Sequence, residues 1–111
     1  MKRDINLIKR LLESIEAKEV GDAYYTIDQE ECYHLQLMND AGLIEGSVFH
    51  DLDGSIFANI DRLTNRGHDM LEKSRDDKWW KKVAKVIADK GFESVVSALT
   101  SHGVTAVTEL F

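Results

Sequence analysis

Two strand-like runs, 43–50 (Leu-Ile-Glu-Gly-Ser-Val-Phe-His) and 55–60 (Ser-Ile-Phe-Ala-Asn-Ile), flank the linker Asp51-Leu52-Asp53-Gly54. Asp-Gly at the end of so short a linker is a hairpin signal, because both residue types accept the backbone angles of a tight turn. An isolated hairpin is marginal in water and has to bury one face against something else. Here the something else is helical, and the pairing of a hairpin with amphipathic helices predicts an α+β fold.

The helices follow from apolar spacing. Over 2–17, Ile5, Ile8, Leu11, Leu12 and Ile15 recur on one face, with Lys2, Arg3, Lys9, Arg10 and Glu13 off it. Gly21-Asp22 then suggests a turn, and Tyr24-Tyr25-Thr26-Ile27 a short strand. Asp28 suits the N-cap of a second helix, with Glu30 and Glu31 in its first turn and His34, Leu37, Met38 and Ala41 as the expected core stripe. Gly42 suits the left-handed residue that ends it. After the hairpin, Thr64 can cap a third helix in which Gly67 permits close packing. Asp76 and Asp77 open a fourth, closed by Lys90-Gly91, with Trp79, Trp80, Val83, Val86 and Ile87 as its stripe. Phe92, Val95, Val96 and Leu99 suggest a fifth helix, and Val104, Val107, Leu110 and Phe111 a terminal turn or helix.

At 111 residues the chain has length for one domain with one modest core. We divide it into a core over 1–75 and a helical extension over 76–111 packed on the same domain. An apolar share of 43% and a charged share of 31% fit a globular chain rather than a disordered one. The apolar runs are too short for a transmembrane helix, and Met-Lys-Arg-Asp leads directly into an amphipathic pattern with no secretory h-region. One cysteine, Cys32, excludes an intrachain disulfide. The expected location is the cytoplasm.

Two strings narrow the fold. Tyr33-His34-Leu35-Gln36-Leu37-Met38-Asn39-Asp40-Ala41-Gly42-Leu43-Ile44 resembles the recognition helix and first wing strand of winged-helix proteins. Leu63-Thr64-Asn65-Arg66-Gly67-His68 resembles the segment that follows their wing. With the opening Met-Lys-Arg-Asp-Ile-Asn-Leu-Ile and the Arg75-Asp76-Asp77-Lys78-Trp79-Trp80-Lys81-Lys82 block, residues 1–90 also resemble a family of small phage- and prophage-encoded proteins, a domain of unknown function. That resemblance implies a cytoplasmic, phage-type protein with a winged-helix-like fold: helix, short strand, helix, β-hairpin wing, helices, and a helical C-terminal extension. It implies no activity. One departure stands out. A helix-turn-helix places a supporting helix before the reading helix, and residues 18–27 leave no room for one.

Charge sorts the functional readings. From Glu19 to Asp61 there is no lysine or arginine among 43 residues, while ten are acidic; all 14 basic residues lie outside that window, in a chain of net charge −6. Phosphate contacts supply most non-specific nucleic-acid affinity, so DNA docking through the helix over 28–40 is electrostatically disfavoured. Gln36 and Asn39 could hydrogen-bond adenine, but Glu30, Glu31, Asp40 and Glu45 surround them, and Asp51 and Asp53 sit in the wing. The leading expectation is a non-enzymatic accessory module that engages a protein partner through an acidic helix and wing, with Gln36, Asn39, Asp40, Asp51 and Asp53 as contacts. The bland alternative is that these acids merely populate a solvated face.

The runner-up is a DNA-binding regulator that uses Lys78, Lys81, Lys82 and Lys85, or charges from a dimer partner. Segment 73–90 holds seven basic residues against three acids, although an ordinary amphipathic helix with solvated lysines has the same look. Trp79, Trp80 and the apolar C-terminus through Phe111 suggest a homodimer surface. Catalysis has no signature: there is no phosphate-cradling glycine loop, nucleophile elbow or zinc motif. His50, His68 and His102 are scattered, Cys32 and His34 diverge on one helix, and His34 reads as a core histidine. No cofactor is expected.

Overall fold

A computed structural model describes residues 4–18, 21–91 and 94. In chain order it contains α1 (Ile5–Ala17), β1 (Tyr24–Thr26), α2 (Gln29–Asp40), β2 (Ile44–His50), β3 (Ile56–Leu63), α3 (Asn65–Ser74) and α4 (Asp77–Lys90). The architecture is mixed α+β: the strands form one antiparallel sheet in the order β1-β3-β2, and the described residues contribute four helices. The apolar runs beyond Gly91, expected to form further helices, lie outside the described residues except for Ser94.

Each helix begins where a side chain can take up orphan backbone donors. The Asp4 carboxylate accepts from the N–H groups of Asn6 and Leu7, Asp28 from Glu31, Thr64 from Gly67, and Asp76 from Lys78 and Trp79. Gly42, at φ +75°, turns the chain from α2 into β2 in the left-handed conformation expected of it.

The hairpin is regular from Gly46 to His50, where Ser47 pairs with Asn59 and Phe49 with Phe57; a register shift falls between Glu45 and Gly46. On the other edge β1 adds three residues, with Tyr25 opposite Asn59. Side chains alternate across the sheet. Ile44, Ala58, Ile60 and Leu63 are buried on the inner side, whereas Ser47, Phe49 and Asn59 are exposed on the outer one.

The core lies between that inner side and the helices. Leu7, Ile8, Leu11, Leu12 and Ile15 of α1 join Leu35, Met38, Leu43, Met70 and Leu71 in one cluster. Trp79, Trp80, Val83 and Val86 of α4 belong to the same cluster. Each such side chain contributes about 1.5–3 kcal/mol on burial. The stripe of α2 is broader than the expected His34, Leu37, Met38 and Ala41. Cys32 and Leu35 are also buried and Leu37 is only half-buried, because α2 packs against both α1 and the sheet and needs two apolar flanks.

Candidate functional site

The outer side of the sheet carries a row of aromatic rings that nothing covers among the described residues. Phe49 on β2 stacks on Phe57 of β3 with ring centroids 4.7 Å apart, and Phe57 meets Tyr25 of β1 at 6.0 Å. Register places them there: Phe49 and Phe57 are direct partners, and Tyr25 sits one row along, opposite Asn59. Tyr25 is 61% exposed, Phe49 44% and the neighbouring Ile27 70%. Contiguous exposed aromatics are unusual on a solvated surface and typical of the centre of a protein interface.

At one end of this row the surface is hollow. An open cavity of about 530 Å³ is lined by Tyr25, Ile27, Gln29, Asp51, Ile56 and Phe57, among others. It lies where β1 hands over to α2 and faces the hairpin tip, on which Leu52 is wholly exposed. The cation nearest in sequence, Arg62, is bound bidentately by Glu45, at 2.9 and 2.7 Å. The outer face therefore presents aromatic rings, small polar groups and the exposed Glu45–Arg62 ion pair.

The residues expected to contact a partner fall into two separate groups, Gln36, Asn39 and Asp40 on α2 and Asp51 and Asp53 on the hairpin. Asp51 and Asp53 lie at the hairpin tip, whereas Asp40 ends α2 at the base of β2, a strand length of about 20 Å away. Both tip carboxylates are committed to the turn. Asp53 accepts from the Ser55 backbone N–H at 2.9 Å and from its hydroxyl at 2.7 Å, and Asp51 accepts from the same hydroxyl at 3.1 Å. Those bonds, the hydroxyl's first, hold the Asp53 carboxyl below its ordinary pKa. Asp40 accepts from the Gln36 amide at 3.1 Å, one helical turn away, and Asn39 is half-buried. The aromatic row was not singled out in the sequence. Its signal was present as odd-numbered aromatics, Phe49 and Phe57, on the polar phase of two alternating strands.

Lys78, Lys81, Lys82 and Lys85 are all exposed on α4, at the i, i+3, i+4, i+7 spacing of one helical stripe. The two tryptophans between them are not a surface: Trp79 and Trp80 are 6% and 8% exposed and stack on each other at 6.0 Å. Their indole N–H groups are buried with no hydrogen-bond partner among the described residues.

The strings that carry the family likeness form a structural seam. Thr64 donates its hydroxyl to the Gly42 carbonyl at 2.6 Å and its N–H to that of Leu43 at 3.0 Å. Arg66 donates to the Ala41 carbonyl at 3.2 Å. A Cβ on Gly67 would lie 2.0 Å from the Leu43 oxygen. The end of α2 and the start of α3 thus satisfy each other's backbone, which the chain needs because both ends are sealed against the core. His34 does similar work: wholly buried, it accepts the Asp4 N–H on Nε2 at 2.8 Å, and its Nδ1 lies 2.8 Å from the Glu30 carbonyl. That pairing requires the neutral ring protonated on Nδ1.

Cys32 is buried with its thiol directed to the Thr26 carbonyl at 3.6 Å; burial, then Glu31 and Asp28, push its pKa up and away from reactivity. Burial first, then the bond to the Glu31 carboxylate at 2.5 Å, raises the Tyr24 phenol well above its ordinary range. The described residues contain no group of three or more His, Cys, Asp or Glu able to hold a metal ion, and no helix among them is long and apolar enough to cross a membrane.

A Haemophilus influenzae protein, described as an uncharacterized protein, is 29% identical over 118 residues, spanning 99% of this chain and 98% of that relative. No solved structure matches. The family model described as Hypothetical protein (DUF2513) matches residues 2–93, which include the seam, the sheet and all of α4, and the chain belongs to that family.

Proposed function

We propose that this protein is a non-enzymatic binding module of winged-helix-like build, which docks a protein partner on the outer face of its sheet. The observation that carries the reading is the continuous row Tyr25–Phe57–Phe49, with Tyr25 and Phe49 exposed, on a segment with no lysine or arginine over 43 residues. Rigid aromatic side chains with a polar rim are the usual centre of a protein interface. Nucleic acid also stacks on sheet aromatics, but only where cations track its backbone, and here that charge is acidic. The winged-helix reading draws support from the order helix, strand, helix, hairpin and from the sheet order β1-β3-β2, with the β2–β3 hairpin as the wing. Among the described residues no further helix lies between α1 and α2, so the module lacks half of the usual DNA-reading device. Its mechanism is occupancy: a partner surface is covered and blocked, as suits a phage-type accessory protein in the bacterial cytoplasm.

The alternative is a DNA-binding regulator acting through α4, favoured by the aligned stripe of Lys78, Lys81, Lys82 and Lys85. Two measurements separate the readings. A photo-crosslinking phenylalanine analogue placed at position 49 or at position 81 reports which face meets a protein in bacterial cells. Anisotropy with mixed duplex DNA, at low and then physiological salt, reports the other ligand. Protein adducts at 49 and not at 81, with no saturable DNA binding, support the module. Saturable DNA binding with a steep salt slope, lost in Lys81→Glu/Lys85→Glu, overturns it.

A further inference from the structure

The sheet has one long unguarded edge. In the order β1-β3-β2, strand β2 pairs with β3 on one side only, and the described residues make no other backbone hydrogen bond to Ile44–His50. A free edge presents alternating N–H and C=O groups that can template another strand. Soluble proteins usually blunt such edges with lysine, proline, bulges or a covering element. β2 has neither lysine nor proline. Its irregularity lies between Glu45 and Gly46, so Ser47–His50 remain in straight register with β3. Its one acidic side chain is Glu45, already clamped by Arg62. The aromatic row also ends on this strand, with Phe49 stacked on Phe57 on its inner flank and 44% exposed.

We infer that the β2 edge accepts an extended segment of the partner protein as a fourth strand, and that this segment carries lysine or arginine. This deepens the proposed protein-binding function and rests on it. An added strand would satisfy the open backbone groups of Ser47–His50 and lay one of its side chains beside Phe49, extending the row. Charge selects the occupant. The window from Glu19 to Asp61 holds ten acids and no lysine or arginine, so an incoming strand meets a field that attracts cations. A second copy pairing β2 with β2 would instead bring two such windows together, and like-charge repulsion opposes that assembly.

The test uses a fluorescein-labelled peptide, Thr-Lys-Val-Lys-Val-Lys-Thr, with the intact chain. Beside it run the same peptide with backbone N-methyl groups at alternate residues and a version with glutamate for lysine. Saturable binding that weakens at least tenfold for both control peptides is expected. Fast-exchanging amides within Ser47–His50 should become protected in the complex, and those of residues 78–85 should not. Equal binding of the N-methylated peptide overturns the edge mode but leaves docking on the outer face intact, since side-chain contacts do not need the peptide N–H. No binding of any peptide overturns the inference, while the adduct at position 49 judges the broader reading separately. Protection of Ser47–His50 by the chain alone as its concentration rises, with dimer in sedimentation velocity, overturns it in favour of a second copy.

Discussion

The two faces of one small sheet differ in what their residues are for. On the inner face Ile44, Ala58, Ile60 and Leu63 are buried against α1, α2 and α3. Around them the seam leaves no slack, with Thr64 bonded to Gly42 and Leu43 and Gly67 pressed on the Leu43 carbonyl. On the outer face half-buried Phe57 meets Tyr25 on one side and Phe49 on the other, and those two are exposed. Stability accounts for the first set and not for the second, because a sheet needs only one dry face. An aromatic row that the fold does not require is the better pointer to what the protein meets.

A seam that tolerated change would erase the difference between the two faces. Gly67→Ala should have the largest effect, more than about 3 kcal/mol, because its Cβ would enter the Leu43 carbonyl and backbone cannot step aside. Urea unfolding, read by circular dichroism, measures it. His34→Leu should follow at about 2–3 kcal/mol: it keeps the volume but strands the Asp4 N–H and removes the side-chain tie to the Glu30 carbonyl. Thr64→Val removes the cap of α3 and the bond to Gly42, an expected loss of about 2 kcal/mol in the same assay.

These positions differ in how legible they were. Thr64, Asp28 and Asp76 announce themselves as caps because capping is local, set by one side chain and donors two or three residues on. Gly42 was legible for the same reason, whereas the partner that makes Gly67 necessary, the Leu43 carbonyl, lies far off in sequence. The stripe of α2 was half legible: period alone marks one flank, and Leu35 came into the core because a second element covers the helix, a fact of tertiary packing. The candidate contacts split into two groups for a related reason. Charge count treats Asp40, Asp51 and Asp53 alike, but strand length sets two of them at the far end of β2 from the first. The tryptophans looked like an interface because stripe and surface are indistinguishable until a helix has a neighbour; α3 and α4 are in contact, and both rings are buried.

Phe49→Thr with Tyr25→Thr sharpens the comparison from the other side. Threonine keeps the preference for extended backbone, and each ring is exposed, so the double variant should lose no more than about 2 kcal/mol from its two aromatic contacts. Partner adducts formed from a photo-crosslinker at position 47 should nevertheless vanish. A loss of several kcal/mol would make the row a structural element and remove the reason for reading it as a docking surface.

The smallest effect concerns the hairpin tip, where an acid can serve the turn or a ligand. Asp53 is held below its ordinary pKa chiefly by the Ser55 hydroxyl, then by the Ser55 N–H. A carboxyl whose folded pKa is depressed adds stability above its unfolded value and loses that contribution as pH falls through the folded one. The turn should therefore loosen only in strong acid, below the range where free aspartate titrates, and amide exchange at Gly54 and Ser55 reports it. Ser55→Ala removes the larger cause and leaves the backbone bond, so the Asp53 carboxyl carbon, followed by NMR, should titrate at higher pH. Partner adducts at position 49 should be unchanged in that variant. If they fall together with the shift, the tip carboxylate contacts the partner as well as its own turn, and the docking face extends past the aromatic row to the end of the hairpin.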